Sequence, residues 1–396
     1  MVFKRRKLKN GITVLFEERS LPVVAFSVSM PFGGGFEQRK IKGIAHFMEH
    51  LLFTGTKTRS HEDISREIEK KGGILNAYTA QEVTSFWFKL PSEHLFAGVD
   101  ILIDMLNNPA FKEEKFEKEK KVILEEIKMY HDDPARHVYE KIENNLYEGP
   151  FGDGIIGFAE SVSSLKRDFV IDFYNKNYGS EEFIVTLVGK ADFDKVCDHI
   201  EKAFVRKKSE KKMPKIVLKN HESYEERAGI DQAHFVFAMH APMANTKEFH
   251  ALEVLDAYLA NGMSSRLFLK IREERGLAYV VKSMLNVEKS YSYYSIYVGT
   301  TKKAVKEVKK IILEEFAKIK DMTEDDLKKA KQRVLGLRKL SAEDSSGVMG
   351  ELMMNELIGK AEDYYKHEAE IEKVSLEDVK KFANLKSYSI AAIVPK

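Results

Sequence analysis

The sequence contains a single cysteine, Cys197, among its 396 residues. One cysteine excludes an intrachain disulfide and any cluster of thiolate ligands. We expect Cys197 to be a buried side chain that fills space in the core. Net charge is also small, because 64 basic residues nearly balance 62 acidic ones, and no large basic surface for nucleic acid is indicated. No apolar run reaches the about 18 residues of a membrane-spanning helix. The basic N-terminus lacks the apolar segment of a secretory signal. We therefore expect a cytoplasmic protein that binds neither nucleic acid nor a membrane.

The chain length suits two domains of about 200 residues each. A charged segment that contains proline and lacks periodicity follows residue 206, as is typical of a linker. Beyond it the pattern starts again: 233–242 echoes 25–31, and 293–299 echoes 85–91 at the same offset, which indicates an internal duplication. The sequence therefore predicts a first domain over 1–206, a linker over 207–219, and a homologous second domain over 220–396. Strand and helix patterns mix throughout, so each domain is predicted to be α+β.

The strongest chemical signal is the segment GIAHFMEHLLF at residues 43–53, which has the apolar spacing of an amphipathic helix. His46 and His50 are four residues apart, so their imidazoles leave the same face of the helix, one turn apart. Two neutral imidazoles in this arrangement can chelate a divalent cation. Glu49, beside them, can take a proton from a metal-bound water. The string H-x-x-E-H is the inverzincin motif.

A candidate third ligand lies in the next strongly charged helix, predicted over residues 111–133. Its Glu119 and Glu126 are two turns apart and share one face. With the H-x-x-E-H string, this helix resembles the pitrilysin, insulysin and mitochondrial processing peptidase family. The resemblance implies that Glu126 is the third ligand of one zinc ion per chain and that Glu119 supports the site. Glu125 is the competing assignment, but its side chain points about 100° away from the Glu119 face.

The same resemblance implies a zinc-dependent endopeptidase that hydrolyses peptides or unfolded polypeptide segments, with Glu49 as general base. In the family, the segment that matches GGILNAYT here is an edge strand beside the zinc. Asn76 and Ala77 are therefore inferred to contact the backbone of a peptide substrate. An unpaired strand edge can bind an extended peptide through main-chain hydrogen bonds. The alternative is that these residues form an ordinary sheet strand.

The second domain resembles the family in the block from Gly262 to Tyr279, GMSSRLFLKIREERGLAY. There the family uses an arginine and a tyrosine seven residues apart to complete the active site, which implies Arg272 and Tyr279 here. A guanidinium and a phenol suit the binding of a peptide carbonyl and of its oxyanion. Arg275 is the alternative to Arg272.

A degenerate copy of the metal motif occurs in the second domain. His250 and Glu253 are retained, but Val254 stands where a second histidine would be needed. One imidazole and one carboxylate form a poor zinc site. We therefore expect the second domain to be metal-free.

The resemblance also implies that each domain is a largely antiparallel sheet with helices packed against it. Family members of this length pair with a second chain to form a clam-like chamber. Because one chain here carries both the zinc motif and the Arg/Tyr pair, we expect a homodimer, with a heterodimer with a related chain as the alternative. The rival function is a non-catalytic scaffold subunit, although scaffold relatives have eroded zinc motifs. A third hypothesis is that the zinc is structural, but structural zinc sites usually use cysteine ligands, and only Cys197 is available.

Overall fold

The computed structural model describes residues 2–205 and 207–396. It divides into two compact units, neither of which is continuous in sequence. The first unit comprises Met1–Lys128, Asp153–Lys215 and Ser341–Tyr364, and the second comprises Met129–Gly152, Ile216–Leu340 and Tyr365–Lys396. No helix among the described residues combines the length and the apolar character that crossing a membrane requires.

Strands and helices alternate along the chain. The strands are β1 (Phe3–Lys7), β2 (Thr13–Glu18), β3 (Val23–Met30), β4 (Ile74–Thr79), β5 (Thr84–Pro91), β6 (Tyr147–Glu148), β7 (Ile184–Gly189), β8 (Val217–Leu218), β9 (Glu222–Arg227), β10 (Ala233–His240), β11 (Ala278–Val287), β12 (Ser292–Thr300) and β13 (Ser389–Pro395). The helices are α1 (Ile44–Phe53), α2 (His61–Glu69), α3 (Leu95–Asn107), α4 (Glu113–Asp132), α5 (Pro134–Leu146), α6 (Ala159–Ser164), α7 (Arg167–Asn177), α8 (Phe193–Ala203), α9 (Lys247–Leu259), α10 (Arg266–Phe268), α11 (Val305–Ala317), α12 (Glu324–Ser341), α13 (Ser345–Ile358), α14 (His367–Lys373) and α15 (Leu376–Lys380).

The first unit is built on a six-stranded sheet in the order β1-β2-β7-β3-β5-β4. All neighbouring strands are antiparallel except β2 and β7, which are parallel. One face of the sheet packs against α1, α3 and α7 through a large apolar core. The other face packs against α13, where Val348, Leu352 and Met353 contact Leu15 and Ala25 of the sheet. Helices therefore cover both faces of the sheet, and β4 forms one of its edges.

The second unit repeats this plan with the sheet β11-β12-β10-β13-β9. Its only parallel pair among the described residues is β13 and β9. Helices α9 and α11 belong to the core on one face. On the other face α5 contributes Val138, Ile142 and Leu146. The fold is therefore mixed α+β with two related units, as the sequence predicted.

Each unit contains one helix that comes from the opposite half of the chain. Helix α13 lies in the C-terminal half of the chain but belongs to the first unit, and α5 lies in the N-terminal half but belongs to the second. Each sheet is apolar on both faces, so each needs a helix to cover its second face. Because the opposite half of the chain supplies that helix, the compact units are not the contiguous segments 1–206 and 220–396.

Candidate metal centre and active site

Helix α1 is amphipathic and directs its polar residues away from the core. Ile44, Ala45, Phe47, Met48, Leu51 and Leu52 are buried. The helix begins after Gly43, whose φ of +95° is in the left-handed region that favours glycine. A Cβ atom at Gly43 would lie 2.5 Å from the Ile156 carbonyl oxygen, so any side chain would clash there. These constraints fix the position at which the motif helix begins.

A buried carboxylate caps the start of this helix. Glu37 accepts hydrogen bonds from the backbone N–H groups of Gly43 (2.8 Å) and Ala45 (2.6 Å). Lys42 lies 3.8 Å from the Glu37 carboxylate and donates to the Gly34 carbonyl, and both charged side chains are fully buried. Burial raises the pKa of Glu37 to about 7, against the lowering effects of Lys42 and the two backbone donors. The sequence does not predict this pair, because no pattern among neighbouring residues shows that both charged side chains are buried.

The structure brings His46, His50 and Glu126 together. The Glu126 Oε2 atom lies 3.8 Å from His46 Nε2 and 3.5 Å from His50 Nε2. One ligand atom from each residue can be chosen so that all lie within 4.8 Å of one another. Ligands on a tetrahedral zinc ion at about 2.0–2.1 Å are separated by about 3.3 Å, so this donor set fits zinc after a small contraction.

The surroundings of the histidines set their protonation. Burial, and then the neighbouring His50, lower the pKa of His46 to about 3, so the ring is neutral, which is the form that binds a metal. For His50, burial opposes protonation, but the Glu119 hydrogen bond and the nearby carboxylates raise its pKa overall. The two rings therefore lie in electrostatically different surroundings on one helix face.

Glu119 lies beside the cluster of possible ligands. Its Oε2 is 3.3 Å from His50 Nδ1, so this carboxylate can fix the orientation of the ring whose Nε2 faces Glu126. Glu125 is directed elsewhere: it pairs with Lys128 at 2.7 Å, and both side chains are mostly exposed. The geometry therefore favours Glu126 over Glu125 as the third ligand.

Glu49 is held by a residue that the sequence analysis did not single out. Thr79, at the end of β4, donates its hydroxyl to Glu49 Oε2 at 2.6 Å. Burial raises the pKa of Glu49, and the Thr79 hydrogen bond acts in the opposite direction. Thr79 is the last residue of the GGILNAYT segment, so the resemblance already included it. Its hydrogen bond to Glu49 could not be predicted from the spacing of the two residues.

Strand β4 is an edge strand, as the resemblance implied, and it is antiparallel to β5. Asn76 is exposed, and its Oδ1 accepts from the Ala77 N–H at 2.8 Å. The Ala77 N–H is therefore capped by a neighbouring side chain at the open edge. A cavity of about 360 Å³ adjoins this strand and contains the motif residues Glu49 and His50. Its other lining residues are Phe53, Thr54, His61, Leu75, Asn76, Lys115, Lys118 and Glu119.

Arg272 and Tyr279 lie in the second unit. Arg272 belongs to the π-helical turn Leu269–Glu273, and its guanidinium lies over the rings of Phe268 (4.9 Å) and Tyr279 (6.0 Å). Tyr279 is 71% exposed, so its phenol is available to a ligand or a partner. Arg275 instead forms an ion pair with Glu307 at 2.9 Å. The structure thus brings the predicted arginine and tyrosine together and leaves Arg275 apart from them.

Comparison with known sequences identifies the family of this chain. The family described as insulinase (peptidase family M16) matches residues 13–157, and the one described as the peptidase M16 inactive domain matches residues 164–334. The chain belongs to peptidase family M16. It is 30% identical over 404 residues to an uncharacterized zinc protease of Bacillus subtilis, YmxG, with 100% of this chain and 98% of that protein covered. An uncharacterized zinc protease of Rickettsia felis is 31% identical, with 84% of this chain and 82% of that protein covered.

Solved structures support the fold independently. A protease from Helicobacter pylori covers 100% of both chains with a TM-score of 0.91 at 22% identity. A peptidase M16 inactive domain from Pseudomonas fluorescens has a TM-score of 0.91 at 17% identity, with 100% of this chain and 98% of that chain covered. At these identities the similarity establishes the M16-like two-domain fold.

Proposed function

We propose that this protein is a zinc-dependent endopeptidase that hydrolyses peptides or unfolded polypeptide segments. The observation that carries the proposal is the convergence of His46, His50 and Glu126 with Glu49 beside them on the same helix. Membership of family M16 and the zinc protease names of its relatives support it. Three ligands rather than four leave a coordination position for substrate chemistry, as in catalytic zinc sites.

In this mechanism, a bound zinc ion supplies Lewis acidity to the attacking water and to the scissile carbonyl. Glu49 takes the proton from the water and passes it to the leaving amine. Thr79 holds the carboxylate of Glu49 in the orientation for this transfer, since its hydroxyl donates to one carboxylate oxygen. Glu119 holds the imidazole of His50 in the same manner.

The substrate would bind as an added strand on the open edge of β4. Ala77 would exchange its contact with the Asn76 side chain for a hydrogen bond to the peptide backbone. The adjoining cavity would receive a side chain next to the scissile bond. Its wall carries charges of both signs, with Lys115 and Lys118 on the one hand and Glu49 and Glu119 on the other.

The second unit would complete the site in an assembly. Arg272 and Tyr279 would bind the scissile carbonyl and its oxyanion, as the family resemblance implies. We propose a homodimer that forms a clam-like chamber, in which the zinc centre of each chain faces the second unit of its partner. A heterodimer with a related chain is the alternative, and light scattering of the active protein distinguishes a monomer from either dimer.

The non-catalytic scaffold remains the rival function, since the C-terminal family description is that of an inactive domain. The intact set of His46, His50, Glu49 and Glu126 favours catalysis. A purely structural role for a zinc ion at His46, His50 and Glu126 is disfavoured, because such sites usually have a fourth ligand, often cysteine. Cys197 is buried in the apolar core, and burial raises its thiol pKa to about 11.

The deciding experiment compares cleavage of a quenched fluorescent peptide library by the wild type and by Glu49→Gln, each loaded with zinc. We expect Glu49→Gln to keep its metal and lose about 10²- to 10⁴-fold in rate, the usual contribution of a general base. Equal cleavage by both proteins would contradict the role of Glu49. If neither cleaves, even as a dimer, the scaffold function is favoured.

A further inference from the structure

The degenerate motif of the second unit has a third potential metal ligand beside it that its sequence does not reveal. His250 and Glu253 lie three residues apart on α9, and His367 reaches them from α14. One potential ligand atom from each lies within 4.8 Å of the others. The expectation of a metal-free domain assumed one imidazole and one carboxylate, so its premise is wrong. We propose that these residues form a second divalent-metal site, selective for zinc-like ions.

The distances fit such a site closely. Glu253 Oε2 lies 2.8 Å from His250 Nδ1, and Glu253 Oε1 lies 2.9 Å from His367 Nε2. Ligands of a tetrahedral zinc ion are separated by about 3.3 Å, so the two oxygen–nitrogen contacts would lengthen by about half an ångström. The chosen nitrogens of the two rings lie within 4.8 Å of each other and would move closer together. Two imidazoles and one carboxylate are also the donor set of the first unit's cluster, and this mixture suits zinc rather than magnesium or calcium.

Burial and charge also favour a cation. The His250, Glu253 and His367 side chains are only 8%, 19% and 13% exposed. The buried Nδ1 of His367 has no hydrogen-bond partner, as is also true of His46 Nδ1 in the first cluster. A metal bound at Nε2 would leave the one proton of the neutral ring on this Nδ1, the same arrangement that the first cluster requires of His46. Glu253 supplies a negative charge, and a divalent ion would offset it.

The competing arrangement needs no metal. In it, Glu253 simply accepts a hydrogen bond from each imidazole, which would satisfy the buried carboxylate. A metal would take the place of the two N–H protons that face Glu253, while each neutral ring keeps one proton on its other nitrogen, and it would join α9 to α14 through three coordinate bonds. The two arrangements differ in metal content, so they can be separated without measuring peptidase activity.

The experiment measures zinc per chain by elemental analysis after chelation, reloading with zinc and removal of free metal. We expect two zinc ions in the wild type, one in His50→Gln, one in His367→Gln, and none in the double variant. Exposed His221 provides the control, and His221→Gln should keep both ions. Circular dichroism verifies that each variant is folded, and Glu253→Gln provides a second, nearly isosteric test that should also lose one ion.

A thermal melt gives an independent reading. In the His50→Gln background, added zinc should raise the melting temperature, because a ligand that binds the folded state stabilises it. His367→Gln in that background should abolish the rise. A wild type that holds one ion, or a His367→Gln protein that still holds two, would overturn the proposal in favour of the hydrogen-bonded triad.

Discussion

The Thr79 hydroxyl donates a hydrogen bond to Glu49 Oε2 at 2.6 Å, which connects the end of the edge strand β4 to the carboxylate of the motif helix. A carboxylate with one oxygen held in this way presents the other in a fixed direction. The strand proposed to bind the substrate therefore also orients the proposed general base. In the proposed mechanism, Thr79 would therefore link the position of the substrate to proton transfer.

Removal of this hydroxyl should impair catalysis more than metal binding. Thr79→Val keeps the shape of the side chain but loses a hydrogen bond to a charged group, which is worth about 1.5–3 kcal/mol. We expect kcat/KM to fall about 10- to 100-fold with unchanged zinc content. Thr79→Ser restores the donor and should remain close to wild type. A fall of equal size in both variants would show that the methyl group, rather than the hydroxyl, matters.

Glu119 should determine metal affinity through His50. Loss of its contact with His50 Nδ1 removes the group that fixes the ring, and such partners usually change metal affinity by about 10- to 100-fold. We expect Glu119→Gln to weaken zinc binding by that factor in a competition titration against a chelator. Glu125→Gln, on the exposed side of α4, is the matched control and should bind zinc as the wild type does. If Glu125→Gln were the weaker binder, the assignment of the helix face would be wrong.

Arg272 and Arg275 offer a similar comparison in the second unit. Arg272 lies beside Tyr279, whereas Arg275 is paired with Glu307. If Arg272 stabilises the oxyanion, Arg272→Ala should reduce kcat/KM about 10²- to 10³-fold, as for other oxyanion donors. Arg275→Ala should change it little, because an exposed ion pair contributes about 0–1 kcal/mol to stability. The reverse order in a peptide cleavage assay would transfer the proposed role to Arg275.

Local patterns predicted the parts of the fold and site that depend on neighbouring residues. The helix at 43–53 followed from its apolar spacing, and α1 covers Ile44–Phe53. Helix α2 also begins by a local rule, because Ser60, a residue type favoured at helix N-termini, forms a capping box with Asp63. The edge position of β4 came instead from the family resemblance.

Contacts between distant residues could not be predicted in the same way. His367 lies more than 100 residues from His250 and joins it only through the packing of α14 on α9. The exchange of α5 and α13 between the units depends on sheets whose second faces also need cover. Neither leaves a periodic signal in the sequence, because each is decided by tertiary packing.

The buried pair of Glu37 and Lys42 should stabilise the start of α1 only as a pair. Removal of one partner leaves the other charge buried, which costs about 3–5 kcal/mol. We expect Glu37→Gln and Lys42→Met each to lower the melting temperature strongly at pH 8, where Glu37, with a pKa of about 7, is ionised. The double variant should be less destabilised than the sum of the two. Additive effects in this double-mutant cycle would show that the two groups act independently.

His137 should make stability depend on pH below neutrality. Burial, and then the Arg227 guanidinium, lower its pKa from 6.5 to about 4. Arg227 donates to His137 Nδ1, a contact that a protonated ring cannot keep. Between these two pKa values the unfolded chain binds a proton that the folded chain does not, so stability rises with pH. The contribution of His137 is therefore complete above pH 6.5 and is lost as the pH falls through 4.

His137→Gln keeps an acceptor for Arg227 but cannot titrate, so it should lose less stability than the wild type between pH 7.5 and pH 4.5. We expect a difference of about 1–2 kcal/mol, because the partial exposure of His137 weakens the effect. Denaturant unfolding at several pH values measures it. The lowered pKa of His46 shifts stability in the same direction in every protein compared. The control is therefore His221→Gln, which replaces an exposed histidine and leaves both His46 and His137 in place. Identical pH dependence in His137→Gln and His221→Gln would show that the Arg227 contact does not hold His137 neutral.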